Sequence, residues 1–179
     1  AIGKDALFKV TDGGENVAIG KNAGYSYAGG SSLIGSFSTF VGYGAGYGIV
    51  GGISYGSNIA IGHQTLYTGT NANRTVAVGN SAGVSGTASV DNVLVGYGAG
   101  SYADSTGNTM IGNKAGFRTN GNYNTAVGYR TLSGSSSGDT SHNNVAIGYT
   151  AMEDATSANE NVIIGNFAAA EITTGDYNT

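Results

Sequence analysis

Along the chain, one short pattern of polar and apolar positions recurs, in which three apolar residues follow a polar residue and end at a glycine. The pattern occurs ten times, at intervals of 16 to 22 residues. Repeats of this size are typical of solenoids, in which each repeat stacks on the next. We call the closing glycines the bend glycines: Gly3, Gly20, Gly42, Gly62, Gly79, Gly96, Gly112, Gly128, Gly148 and Gly165.

Alignment on the bend glycine produces three apolar columns. The two outer positions of the triplet are β-branched in every repeat and form the flanking columns. The first flanking column is Val17, Thr39, Ile59, Val76, Val93, Thr109, Thr125, Val145 and Val162. The second is Ile2, Ile19, Val41, Ile61, Val78, Val95, Ile111, Val127, Ile147 and Ile164. Between them lies the middle column of mostly small residues, which is Ala18, Phe40, Ala60, Ala77, Leu94, Met110, Ala126, Ala146 and Ile163.

The triplets predict strands, because β-branched residues favour extended backbone and three residues are too few for a helix. The glycine that follows permits a bend, and the Ala-Gly pair found after several bends predicts a second short strand or a turn. The sequence therefore predicts an all-β fold, a parallel β-solenoid or β-roll of about ten coils of 16 to 22 residues. Residues 1–179 are expected to form one such segment of a longer repeat array.

The alternation of a strand places the flanking columns on one face and the middle column on the other. Both faces are apolar, whereas the interior of a narrow coil buries only one. Since the small residues of the middle column suit close approach around a symmetry axis, we expect that column to line the axis of a homotrimer, with three chains around it.

A polar column, called the lead column, precedes the triplets. Stacked asparagines can bond from coil to coil, which predicts a structural ladder. The alternative is that each asparagine only starts a turn. The asparagines of this column are Asn16, Asn58, Asn92, Asn108, Asn124, Asn144 and Asn161.

Composition excludes several classes of function. The absence of Cys excludes disulfides and thiolate metal sites. Seven Lys and Arg against eleven Asp and Glu argue against a groove for nucleic acid. No apolar run approaches the ~20 residues of a membrane span, so we expect no membrane insertion of this segment.

No residue constellation predicts an enzyme, a cofactor site or a metal site. His63 and His142 have no fixed acidic partner, and the acids never recur in the register of a calcium-binding repeat. Aromatic rings with hydroxyl groups suit recognition, although the alternative is that they pack the return loops onto the solenoid. The candidate binding residues are Tyr25, Tyr27, Tyr47, Tyr55, Tyr67, Tyr102 and Tyr123.

Units such as NVAIG-KNAG, NIAIG-HQTL and NTAVG-YRTL resemble the repeats of two related groups. One is the head of trimeric autotransporter adhesins, and the other is the repeat region of phage tail fibres. The resemblance covers essentially the whole chain and implies a left-handed parallel β-roll assembled from three chains. The long coils and the tyrosines that follow four bend glycines, Tyr43, Tyr97, Tyr129 and Tyr149, favour the tail-fibre group.

The resemblance implies a non-enzymatic structural and adhesive segment of a homotrimeric extracellular attachment fibre, carried by a virion or by a bacterial cell surface. Its expected partner is a cell-surface glycan or protein receptor. The alternative is the head of a bacterial adhesin. A third reading, a tailspike that degrades polysaccharide, requires a carboxylate pair in a groove, and the eleven scattered acids predict none.

Overall fold

The protein is described from a computed structural model. It describes residues 1–10, 13–26, 35–48, 56–68, 72–85, 89–102, 104–134 and 139–179, so that the candidates Tyr27 and Tyr55 lie outside the described residues. Within these residues the protein contains strands and turns but no helix. The strands are β1 (Val17–Ile19), β2 (Thr39–Val41), β3 (Ile59–Ile61), β4 (Val76–Val78), β5 (Ser89–Val90), β6 (Val93–Val95), β7 (Ser105–Thr106), β8 (Thr109–Ile111), β9 (Thr125–Val127), β10 (Val145–Ile147) and β11 (Val162–Ile164).

Nine of these strands form one parallel sheet, in the order β1-β2-β3-β4-β6-β8-β9-β10-β11. Each is one of the apolar triplets, and equivalent residues pair, as Ala126 does with Ala146 across β9 and β10. Ile2 continues the sheet through an isolated parallel bridge to Ile19. Strands β5 and β7 pair in a second, two-stranded parallel sheet. The prediction of an all-β, parallel β-solenoid is therefore confirmed.

The bend glycines allow one coil to lie directly on the next. Their φ angles lie between +128° and +142°, a region that side chains disfavour. A Cβ atom on Gly62 would lie 2.5 Å from the carbonyl oxygen of Gly79, the bend glycine of the next coil. Glycine is thus required both by its backbone angle and by the close approach of two backbones.

The segment after the bend is a turn in which the sign of φ alternates, and not a second strand. After Gly62, the residues with positive φ are Gln64, Leu66 and Thr68, at 52°, 48° and 63°. The N–H of Gln64 donates to Tyr43 O of the preceding coil at 2.8 Å, and that of Leu66 donates to Ala82 O of the following coil at 2.9 Å. Alternation therefore directs successive N–H groups to the coils on either side.

The middle column lies inside the solenoid, so the prediction that it lines a trimer axis is wrong. Its side chains are at most 2% exposed in the single chain, apart from Ile163, which is partly buried against the same core. Side chains enclosed by their own coils are not available to line an axis between chains. The residues assigned to the interior instead of the trimer axis are Ala18, Phe40, Ala60, Ala77, Leu94, Met110, Ala126, Ala146 and Ile163.

The interior is filled by volume compensation between the middle column and the residue six positions later, which points at it from the segment after the bend. Where the middle residue is large, the later one is glycine: Phe40 with Gly46, Leu94 with Gly100, and Met110 with Gly116. A Cβ atom on each of these glycines would collide with its large partner. Where the middle residue is alanine, a large buried residue takes the space in three coils: Ala60 with Leu66, Ala126 with Leu132, and Ala146 with Met152.

The lead column joins each coil to the next through two hydrogen bonds. Asn124 Oδ1 accepts the backbone N–H of Asn144 at 2.9 Å, and Asn124 Nδ2 donates to Ser141 O at 2.8 Å. Both partners belong to the following coil, so the ladder runs from side chain to backbone. The same pair of bonds is made by Asn58, Asn92, Asn108, Asn144 and Asn161.

The remaining lead positions make part of this arrangement. Asn16 Oδ1 accepts the N–H of Ser38 at 2.8 Å, whereas the Asn16 Nδ2 atom has no partner within the described residues. Ser38 Oγ accepts the N–H of Asn58 at 3.2 Å, and Thr75 Oγ1 donates to Ser89 O at 2.8 Å. Ser38 and Thr75 thus belong to the ladder, although the sequence analysis did not include them.

Replacement of Gly62 by alanine should destabilise the protein by about 2 to 5 kcal/mol, because strain at positive φ adds to a backbone clash. The free energy of urea unfolding measures the loss. Gly98→Ala is the matched control: Gly98 also has positive φ, but a Cβ atom there would find its nearest neighbour at 3.6 Å. Equal losses in the two variants would contradict the requirement for close approach at the bend.

Asn124→Ala should cost about 1 to 3 kcal/mol for each buried group that loses its partner, namely the N–H of Asn144 and the carbonyl of Ser141. The exposed Asn113, replaced by alanine, serves as the control and should change stability by less than about 0.5 kcal/mol. If both variants unfold at the same urea concentration, the asparagine only starts a turn.

Candidate functional site

The flanking columns face outwards and form a continuous row of β-branched residues on the described chain, here called the apolar face. Among the more exposed residues of the inner strands, the exposed fraction ranges from 36% for Ile147 to 47% for Val17. At the two ends of the sheet it reaches 69% for Ile2 and 66% for Ile164. Threonine occurs at three positions of these columns and a charged residue at none. The prediction that this face lies inside the coil is therefore wrong.

The apolar face has the dimensions of an interface. Nine strands at the usual spacing of ~4.8 Å and three residues per strand give a surface of about 40 Å by 10 Å. A surface of about 400 Å² is of the size of the largest apolar patch on a soluble protein, and such patches often mark sites of interaction. The face is therefore the first candidate functional surface of the protein.

Three of the candidate tyrosines stack on one another instead of offering free ring faces. Tyr25 lies between Phe8 and Tyr47 with ring centres 5.4 and 5.0 Å away, and Tyr47 stacks on Tyr67 at 4.7 Å. The three tyrosines are half-buried, and each lies five residues after a bend glycine. This column of rings packs neighbouring coils together.

The other described candidates are exposed but do not converge. Tyr102 is 50% exposed and meets Phe117 edge to face, with ring centres 5.5 Å apart. Tyr123 is 64% exposed, and its ring packs over Gly107 of the preceding coil. The role of these tyrosines in binding remains a prediction.

A second candidate site lies beside Tyr102, where a cleft of about 210 Å³ opens at the surface. Its main lining residues are Val84, Tyr97, Gly98, Tyr102, Lys114 and Phe117. From the sequence, Tyr97 counted only as evidence for the tail-fibre group, and neither Lys114 nor Phe117 was predicted as a site residue. A signal was present, because small residues interrupt the aromatic column at this coil.

Both histidines interact with neighbouring residues through their rings. His142 Nδ1 accepts the backbone N–H of Asn122 at 2.9 Å, in a second polar column that Asn122 and Asn159 continue. His63 stacks on Tyr43 at 5.3 Å. Across the described residues, no group of three His, Cys, Asp or Glu side chains is placed to hold a metal ion.

Asp139 is the one carboxylate fully buried in the described part of the chain. Burial raises the pKa of Asp139 above its ordinary value, while hydrogen bonds from Ser141, together with the nearby His142, oppose that rise. The Oδ1 atom accepts both the N–H and the hydroxyl of Ser141, whereas Oδ2 has no partner in the described structure. An ionised Asp139 is therefore incompletely solvated.

No helix within the described ranges is long and apolar enough to cross a membrane. Comparison with known proteins finds no matching family model, no matching curated protein and no matching solved structure. The surfaces of this chain are therefore the basis on which its function is inferred.

Asp139→Asn should be more stable than the wild type at pH 7, because it removes a charge from the interior. A raised folded-state pKa means that protonation favours the folded chain, so the contribution of Asp139 is complete below about pH 4 and is lost as pH rises through its folded-state pKa. The difference in Tm between variant and wild type should accordingly shrink from pH 7 to pH 4. The other carboxyl groups are the same in both proteins, so their effects on Tm cancel in this difference. A difference that is independent of pH would contradict this.

Proposed function

We propose that the chain is a non-enzymatic structural and adhesive segment of a homotrimeric extracellular attachment fibre of the phage tail-fibre type. The observation that supports the proposal most directly is the apolar face, an exposed, uncharged surface repeated in each strand of the main sheet. A chain that exposes this surface would associate through the hydrophobic effect.

A further copy of the same chain is the partner that fits this face best. The face repeats with the spacing of parallel strands along its whole length, and another copy has the same repeat. Side chains of two aligned copies can therefore interdigitate at every level. A closed symmetric assembly then covers the apolar face of every copy, so that no apolar face stays exposed.

Three copies are favoured by the resemblance of the repeats to two trimeric groups. In this arrangement the flanking columns, and not the middle column, surround the axis. Ten coils at ~4.8 Å each would form a rod of roughly 48 Å, and residues outside the apolar face would be presented three times. Threefold presentation raises the avidity of weak sites for a cell-surface glycan or protein. The head of a bacterial adhesin would use the same assembly and differ only in the carrier.

A charge on the apolar face should separate the chains without unfolding them. We expect wild type to scatter light as a particle of three times 17.8 kDa, and Ile147→Asp, combined with Ile111→Asp, to give a folded monomer. Ala126→Asp should instead unfold the chain, because Ala126 is completely buried within its own coil. The exposed control Asn113→Asp should remain trimeric.

Two results would contradict this assembly. A wild-type chain that remains a stable folded monomer would remove the basis for the trimer. A double variant that assembles as well as wild type would show that the flanking columns do not surround the axis. Circular dichroism on the same samples separates dissociation from unfolding.

A further inference from the structure

The column of stacked rings does not continue through every coil of the solenoid. Phe8, Tyr25, Tyr47 and Tyr67 occupy successive coils, but the same position is then held by Val84 and Ser101 before an aromatic ring returns at Phe117. Ser101 is buried, and its hydroxyl donates to Ser81 O. Two successive levels of the column, those of Val84 and Ser101, therefore have no ring.

A second small residue in the same coil deepens the gap. Gly98 lies two residues after its bend glycine, where the adjacent coils have Ser81 and Lys114. Gly98 and Ser101 together leave the cleft of about 210 Å³. This is smaller than the ~300 Å³ at which pockets for drug-sized ligands begin, so it suits a single ring.

The walls of the cleft are aromatic. Tyr102 and Phe117 stand nearly perpendicular, with an angle of 80° between their rings. Tyr97 and Tyr102 are each about half exposed, at 53% and 50%. Rigid rings that present an apolar surface and a hydroxyl group are suited to bind a ligand that is itself amphipathic.

The rim of the cleft is positively charged, although the chain carries a net charge of −4. Lys114 Nζ lies 5.5 Å and the Arg118 guanidinium 5.1 Å from the centre of the Phe117 ring. Among the described residues, neither cation forms a salt bridge, whereas Arg74 and Arg130 pair with Asp91 and Glu153. Lys114, which lines the cleft, thus remains for an anion bound there.

We propose that the cleft binds one acidic sugar unit of a cell-surface glycan. The sugar ring occupies the level of Ser101, where the aromatic column has no ring. The apolar side of the sugar lies against Tyr102 or Phe117, and its carboxylate lies near Lys114. No lining residue belongs to the flanking columns, so assembly through the apolar face leaves the cleft open. This assignment rests on the proposed attachment function and specifies its ligand.

Saturation-transfer NMR on the intact chain tests the assignment with three probes: 3′-sialyllactose, trigalacturonate and neutral lactose. We expect at least one acidic probe to receive saturation from the aromatic protons, and lactose to receive far less. Tyr102→Ala and Lys114→Gln should each weaken binding about tenfold, since each removes a principal contact. Ser101→Tyr should block the cleft by restoring the missing ring.

Two variants provide matched controls: Lys21→Gln, which removes a lysine over the Tyr43 ring, and Tyr129→Ala, which removes an exposed stacked tyrosine. Both should bind the acidic probe within twofold of wild type. The assignment is overturned if neither acidic probe binds, if lactose binds equally well, or if Tyr102→Ala and Lys114→Gln bind like wild type.

Light scattering on the same samples separates this assignment from the proposed assembly. A monomer that binds the acidic probe through the cleft would contradict the trimer and support the cleft. A trimer that binds no acidic probe would do the reverse.

Discussion

The structure depends on stacking equivalent backbone atoms at one fixed spacing. Each coil must place its N–H and C=O groups opposite those of the next, and the buried asparagines of the lead column enforce this register by binding one donor and one acceptor of the following coil. A bend glycine is required because the two backbones meet where a Cβ atom has no space. Variation in coil length is therefore confined to the segments between the bend turn and the next lead residue.

The same constraint determines how the interior is packed. Because the strands cannot move apart, a large residue in the middle column must be matched by a small one opposite it. Phe40 faces Gly46, whereas Ala60 faces Leu66. Where both positions are small, as in Ala18 with Gly24 and Ala77 with Gly83, large side chains of the neighbouring coils fill the space, so volume is balanced between coils. Cores tolerate such exchange when volume and pattern are maintained.

Filling the interior in this way leaves the β-branched residues outside. The exposed apolar face is the feature that links the fold to the proposed fibre. In that proposal, recognition would use surfaces away from the sheet. The aromatic column mostly serves packing, as the stacked rings of Tyr25 and Tyr47 do, and becomes a candidate binding site only where Ser101 and Gly98 interrupt it.

The repeat pattern by itself predicted the nine strands of the main sheet and the parallel solenoid, because repeats of one triplet stack with equivalent residues side by side, but it did not predict β5 and β7. It also identified the lead asparagines. It did not decide which side of the strand faces inwards, since both sides are apolar, although the matched sizes of Phe40 with Gly46 and Ala60 with Leu66 carried that information. The tertiary structure decided it: a narrow coil accepts one side chain per strand, so the middle residue goes in and its two β-branched neighbours go out. The cleft likewise arises only when Val84, Tyr102 and Phe117 from three coils are stacked, which no single repeat encodes.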